Sequence, residues 1–432
     1  MADNNAAGNW ACVHATILIL CFAIACCCEA KGMSHALVDT LLGANLRRIT
    51  YDIRPAGLNY ERVFNVLHFG AYPDGRKDST QPFKRAWRAA CGFKGRSRLL
   101  IPGGAFLLSE IVFAGPCSGP SPTIVQVIGT LKATTDIREY SSSEWVLFQS
   151  INGLVITGSG TFDGQGGAVW KYDCKGNKNC VQLPSNIKFN KVTNGVLQGI
   201  TSLNSKGVHV FITQCEDIRV RNIRVIAPGD SPNTDGIHVS HSNNVRINET
   251  IIRTGDDCVS MIQGATNVAI NKLTCGPGHG ISVGSLGKYR HEEDVRGIVV
   301  KNCTLTGTDN GVRIKTWPGS DSSSASGMLF QDIIMNNVKN PIIIDQRYCE
   351  RSTKCKKAPS RVKISNVYYI NIKGTSSSAV AVNLMCSKQF PCQDVHFYNI
   401  DLRYQRKGMG ATATCANAVV RYGGRQNPPP CK

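Results

Sequence analysis

Charged residues are scarce in this chain, 18% of 432 positions, while hydrophobic residues make up 42%. That balance excludes an intrinsically disordered chain and leaves ample apolar side chain for a large core. Acidic residues are the scarcer sign, 30 against 49 Lys and Arg, for a formal charge of +19. Such a surplus asks for an anionic partner, which nucleic acid, a membrane surface or an acidic polymer would each provide. Long apolar runs are missing too. Residues 16–28 (TILILCFAIACCC) fall short of the ~20 needed to span a bilayer, and the small-residue pattern Cys28-Glu29-Ala30 follows. Residues 1–30 are therefore expected to be a secretory signal peptide, although no Lys or Arg precedes the apolar run. Its removal takes away Asp3, Glu29 and five cysteines, which leaves a formal charge of +21 and fourteen cysteines.

Zinc-type spacing, C-x-x-C…C-x-x-C or H-x-x-x-H, is also absent. An even cysteine count in a chain bound for an oxidising compartment instead predicts disulfides. The close pairs are the candidates: Cys174/Cys180, Cys258/Cys275, Cys349/Cys355, Cys386/Cys392 and Cys415/Cys431. Cys215 and Cys303 sit in strand-like stretches and read as buried thiols. Asn248-Glu249-Thr250 and Asn302-Cys303-Thr304 are sequons, hence expected glycan sites on a secreted chain.

Helical periodicity is nearly absent, and no Pro- or Ser-rich linker divides the chain. Glycine is plentiful, 42 residues, which favours tight turns. Between about residues 150 and 400 a loose unit recurs: alternating apolar and polar residues, an Asn or Asp, a short β-branched stretch, then a turn. Its anchors are Asn222, Asn248, Asn271, Asn302, Asp332, Asn371 and Asn399, spaced 26, 23, 31, 30, 39 and 28 residues apart. Short strands at that period predict an all-β, single-domain solenoid, a right-handed parallel β-helix. Its catalytic domain is expected over 61–432, after a poorly ordered N-terminal segment at 31–60. Residues 78–91 (DSTQPFKRAWRAAC) form the helical exception, an amphipathic helix suited to capping the solenoid's N-terminal end. Residues 320–326 (SDSSSAS) read as a surface loop.

Four segments carry chemistry: 231–240 (SPNTDGIHVS), 255–261 (GDDCVSM), 275–288 (CGPGHGISVGSLGK) and 311–317 (GVRIKTW). Asp235, Asp257 and His279 are 22 and 22 residues apart, so one coil per interval would place them at equivalent points of three coils, roughly 4.8 Å apart. Asp256 stands beside them. On an ideal strand Asp256 and Asp257 would face opposite ways, so a turn or bulge that Gly255 permits must re-aim one. Arg313 and Lys315, two apart, share a side, and they lie one coil further on if 288–296 (KYRHEEDVR) is an extruded loop. Clustered carboxylates repel, so one is held protonated or cations offset the charge. A proton donor beside a proton acceptor is what glycoside hydrolysis needs, and two cations suit a substrate with its own carboxylates. Taken singly, each motif is also an ordinary turn, solvated pair or basic strand face; the shared register makes them a site.

At these residues the sequence closely resembles the polygalacturonases of glycoside hydrolase family 28, from about Phe64 to Cys431, including residues 160–170 (GTFDGQGGAVW). The resemblance implies inverting hydrolysis of α-1,4-linked galacturonan, the backbone of pectin. It implies Asp256 as general acid, Asp235 and Asp257 as activators of water, and His279 as a tuner of the acid. Arg313 and Lys315 would bind the galacturonate carboxylate, with Asn233 lining the site and Tyr348 contacting substrate. No metal or cofactor is implied.

The stretches GHGISVGSLGKYRHEEDVRGI and PIIIDQRYC look most like the plant, pollen-type exo-acting branch, with an endo-acting enzyme as the alternative. A calcium-dependent pectate lyase, a rhamnogalacturonan hydrolase and a non-catalytic pectin-binding wall protein stay open on the residues alone. The expected setting is extracellular, in the cell wall: a monomer on polygalacturonate, without nucleic acid, and without a membrane in its mature form.

Overall fold

The computed structural model describes residues 61–174, 180–349 and 355–431. The expected signal peptide (1–30) and the N-terminal segment (31–60) lie outside them. A typical coil consists of Val210–Thr213, Glu216–Arg221 and Arg224–Ile226, and the next repeats it with Ile237–Ser240, Asn243–Asn248 and Ile251–Arg253. Each strand pairs in parallel with its counterpart one coil on. The stack is a right-handed parallel β-helix, as the repeat predicts. One face is an 11-stranded sheet; the other two fuse late in the chain, where Val295–Lys301 and Thr304–Thr306 both pair with the single strand Ser323–Val338. Residues 323–326, expected in a surface loop, open that strand instead, because Ala325 is buried in register with Val295.

Period-2 alternation builds the core: Val210, Ile237, Val259, Ile281, Val312 and Ile342 are successive register partners, all buried. Like residues stack on like. Phe330, Tyr369, Phe397 and Tyr422 make an aromatic column with ring centroids 5.2, 4.9 and 5.8 Å apart. The recurring Asn and Asp anchors have two jobs at one corner. Asn222, Asn302, Asp332, Asn371 and Asn399 adopt left-handed backbone, which short polar side chains tolerate best. Their amides also form ladders, with Asn271 Nδ2 donating to Asn248 Oδ1 and Asn302 Nδ2 to Asn271 Oδ1, each at 2.8 Å. At two coils the duties separate, so that Glu249 and Lys272 take the left-handed turn while Asn248 and Asn271 keep the ladder. Both sequon asparagines thus belong to this ladder.

The helix Thr80–Gly92 buries Phe83, Ala86, Trp87 and Ala90. Trp87 and Phe83 meet Phe113 and Phe106, and Trp87 Nε1 donates to the Ala114 carbonyl at 2.9 Å, so the helix closes the first coils as expected. All five expected disulfides form. A sixth, Cys91–Cys117, ties the end of the helix to the loop after the first strand of the 11-stranded sheet, while Cys215 and Cys303 are buried thiols. Burial pushes the Cys303 thiol up to about 12, which makes it inert as a nucleophile.

Candidate active site

Ile237, Val259 and Ile281 are register partners, so the residues two places earlier, Asp235, Asp257 and His279, stand at equivalent points of successive coils. Asp256 and Asp257 lie in the bend ahead of Val259–Met261, where strand alternation does not govern direction. Gly255 opens that bend, as the sequence predicts. Its backbone is not left-handed; a Cβ there would instead fall 2.0 Å from the Ser231 carbonyl oxygen, so the residue serves close approach of two coils. The left-handed glycines, Gly278 and Gly280, flank His279, with φ of 143° and 90°.

Asp257 is the sealed member, its side chain 1% exposed. Its Oδ1 accepts from Arg313 Nη2 and Ser282 Oγ, both at 2.7 Å, and its Oδ2 from Lys315 Nζ at 2.8 Å. Burial works to raise its pKa, but Lys315 and Arg313 outweigh it, and the carboxyl lies below the usual range. Arg313 and Lys315 are held in their charged forms in return: burial disfavours the charge, and Asp257 more than restores it. The sequence assigns these two cations to a substrate carboxylate; the structure commits nitrogens of each to Asp257 first. Tyr348 joins them, its ring centred 5.0 Å from Lys315 Nζ and set edge-on to Trp317.

Asp235 has a different surrounding. Ser260 Oγ donates to its Oδ2 at 2.7 Å, and His238 Nδ1 lies 2.7 Å from that hydroxyl. Because the serine proton points at Asp235, the ring nitrogen is the donor to the serine. Burial and the charge of Asp256 raise the Asp235 pKa against the opposing pull of His238.

Asp256 completes the set. His279 Nδ1 is 2.9 Å from its Oδ1, which also accepts the Asp257 amide at 2.8 Å. Burial favours the neutral carboxyl, yet the bond and charge of His279 prevail, so Asp256 is held ionised. His279 is raised in turn, burial being outweighed by Asp256. Its other nitrogen faces Asp309 at 3.7 Å. Asn233, with left-handed backbone, donates to both carboxylate oxygens of Asp173 at 2.8 and 2.9 Å. That bond joins the site to the segment closed by Cys174–Cys180.

The ligand atoms of Asp256, Asp257 and His279 lie within 4.8 Å of one another, a spacing a metal ion accepts. Both oxygens of Asp257 and one of Asp256 already accept from cations or backbone. That donor set suits acid–base chemistry balanced by protein cations better than a cation site. The structure therefore gathers Asp235, Asp256, Asp257, His279, Arg313, Lys315 and Tyr348, with Asn233 tied to the adjoining segment. It adds Ser260, Ser282, His238, Asp173 and Asp309, which the sequence reading passed over. A signal existed for three of them: His238, Ser260 and Ser282 repeat the 22-residue spacing three positions after the ladder and are register partners.

Residues 91–423 match the family described as glycosyl hydrolases family 28. The chain is 47% identical over 367 residues to an exopolygalacturonase of Platanus acerifolia, covering 85% of this chain and 97% of that one. It is 46% identical to an exopolygalacturonase of Arabidopsis thaliana, clone GBGE184, covering 85% and 88%. Among solved structures, the exopolygalacturonase of Thermotoga maritima superposes with a TM-score of 0.63 at 20% identity, over 83% of this chain and 91% of that one.

Proposed function

The chain belongs to glycosyl hydrolases family 28, and from that membership and the built site we propose how it works as a polygalacturonase of the exo-acting plant type. It hydrolyses α-1,4-galacturonosyl linkages of polygalacturonate and releases galacturonate from the non-reducing end. The observation that carries the mechanism is the charge balance of the site. Three carboxyl groups, Asp235, Asp256 and Asp257, face three cationic groups, His279, Arg313 and Lys315. A galacturonate unit brings one more negative charge, and the filled site is balanced when one carboxyl holds a proton. That proton is the acid the leaving oxygen requires, and an ionised partner is the base for water.

Asp256 with His279 is the acid in this reading. At rest His279 carries the proton between them across 2.9 Å and Asp256 is ionised; the negative charge of the incoming uronate favours uptake of one further proton, on Asp256, with His279 still cationic. Asp257, pinned ionised, and Asp235 orient the attacking water. Arg313 and Lys315 bind the substrate carboxylate while holding Asp257, with Tyr348 against them. One observation favours exchanged roles: Asp235 is the carboxyl whose surroundings raise its pKa, which would make it the acid and Asp256 the base.

Residues 61–432 act as one catalytic domain, on a monomer secreted to the cell wall, where the six disulfides among the described residues suit an oxidising setting. Chromatography of early products from long polygalacturonate tests the activity. Galacturonate monomer alone is expected; a ladder of oligomers would mean endo attack, and no new reducing ends would end the enzymatic reading.

A further inference from the structure

The column that carries Arg313 and Lys315 continues beyond them with a change of character. In the next coil Ile343 pairs with Arg313 and Asp345 with Lys315, and one coil later stand Asn383 and Met385. A carboxylate thus follows a lysine at the spacing of one coil, roughly 4.8 Å, and no cation replaces the pair left behind. Asp345 Oδ1 accepts the Arg347 amide at 2.8 Å, and no cationic side chain forms an ion pair with Asp345 among the described residues. Of the cations whose charge reaches Asp345, Arg313 is engaged with Asp257 and Arg347 forms no ion pair with it among the described residues. Burial raises its pKa in spite of Arg313 and Arg347. The neighbouring surface is an aliphatic side chain 8% exposed, an amide and a thioether.

We propose that this segment of the cleft is a subsite for an uncharged uronate, such as a methyl-esterified galacturonate, with Asp345 as the residue that disfavours a free carboxylate there. The proposal rests on the polygalacturonase reading and refines it: the unit beside Arg313 and Lys315 must be ionised, while the unit one coil further is better neutral. A free uronate there would set its carboxylate against one that no cation pairs among the described residues. An ester removes the repulsion and places a methyl group against Ile343 and Met385.

The test uses the full chain and a panel of trigalacturonates, one unesterified and three carrying a single methyl ester on the first, second or third unit. Affinities are measured by calorimetry on Asp256→Asn protein, with and without Asp345→Asn, and galacturonate release on the wild-type chain. An ester at one position is expected to bind about tenfold tighter than the free acid. Asp345→Asn should bring that ratio to near one by improving the unesterified ligand. A ratio unchanged by Asp345→Asn overturns the proposal, as does an equal loss of affinity across the panel, the mark of a partner for a sugar hydroxyl. Failure to release galacturonate from the unesterified trimer would count against the activity instead, while the affinity order still decides the role of Asp345.

Discussion

Asp235 and Asp257 occupy the same place on neighbouring coils, and each accepts a hydrogen bond from a serine one coil on. Their protonation tendencies nevertheless diverge. Behind Ser282 stands Arg313, and Lys315 covers the other oxygen, so Asp257 is ionised despite near-complete burial. Behind Ser260 stands His238, 3.7 Å from Asp235, but burial and the nearby charge of Asp256 outweigh its pull, so Asp235 is pushed toward its neutral form. The solenoid supplies equivalent positions, and the next strand decides what chemistry each can do. A repeat architecture thereby gives opposite protonation tendencies to residues that would otherwise be alike.

The largest expected effect is one of opposite sign. Asp257→Asn leaves Arg313 and Lys315 buried without their carboxylate and is expected to cost about 3–5 kcal/mol of stability at pH 7 in urea unfolding. Asp235→Asn removes a carboxyl that folding pushes toward the neutral form, so it should leave stability unchanged or raise it. The pH dependence follows from the directions of the shifts. Asp257, lowered in the fold, stabilises above the ordinary carboxylate pKa of about 4 and loses that contribution as pH falls through its folded value. Asp235, raised in the fold, favours folding below its unfolded pKa and loses that as pH rises through its folded one. The gap between the two variants should therefore narrow on acidification; destabilisation of both to the same extent would erase the comparison.

A smaller effect separates the serines. Ser260→Ala deletes the direct hydrogen bond from a neutral donor to Asp235, worth about 1 kcal/mol, and should move an ionisation limb of kcat/KM to higher pH. Ser282→Ala removes one of three donors to a carboxylate that keeps both cations, so its limb should move less. Equal shifts would mean that the cations behind Asp257 do not set its state.

Much of this was legible because the coils near the site are short. The 22-residue interval between Asp235, Asp257 and His279 fixed their register before any coordinates, and alternation fixed which residues face inward. The partner of His279 was legible through the family resemblance and not through the register. Register places it against Asp257, but the bend at Asp256 turns that side chain to the imidazole, and the direction of a side chain in a bend has no period to read. Ser260 and Ser282 shared the register yet carry no chemistry alone, so nothing singled them out. Cys91–Cys117 escaped for a related reason: 26 residues and a helix terminus separate the two, and only the closing of the first coils brings them together.

The assignment of Asp256 as the acid, served by His279, is tested most directly by the turnover of Asp256→Asn on polygalacturonate alongside its affinity for the same polymer. Loss of the proton donor should lower kcat about 10²- to 10⁴-fold with affinity nearly unchanged. Turnover close to that of the parent chain would contradict the assignment and transfer the acid's role to Asp235.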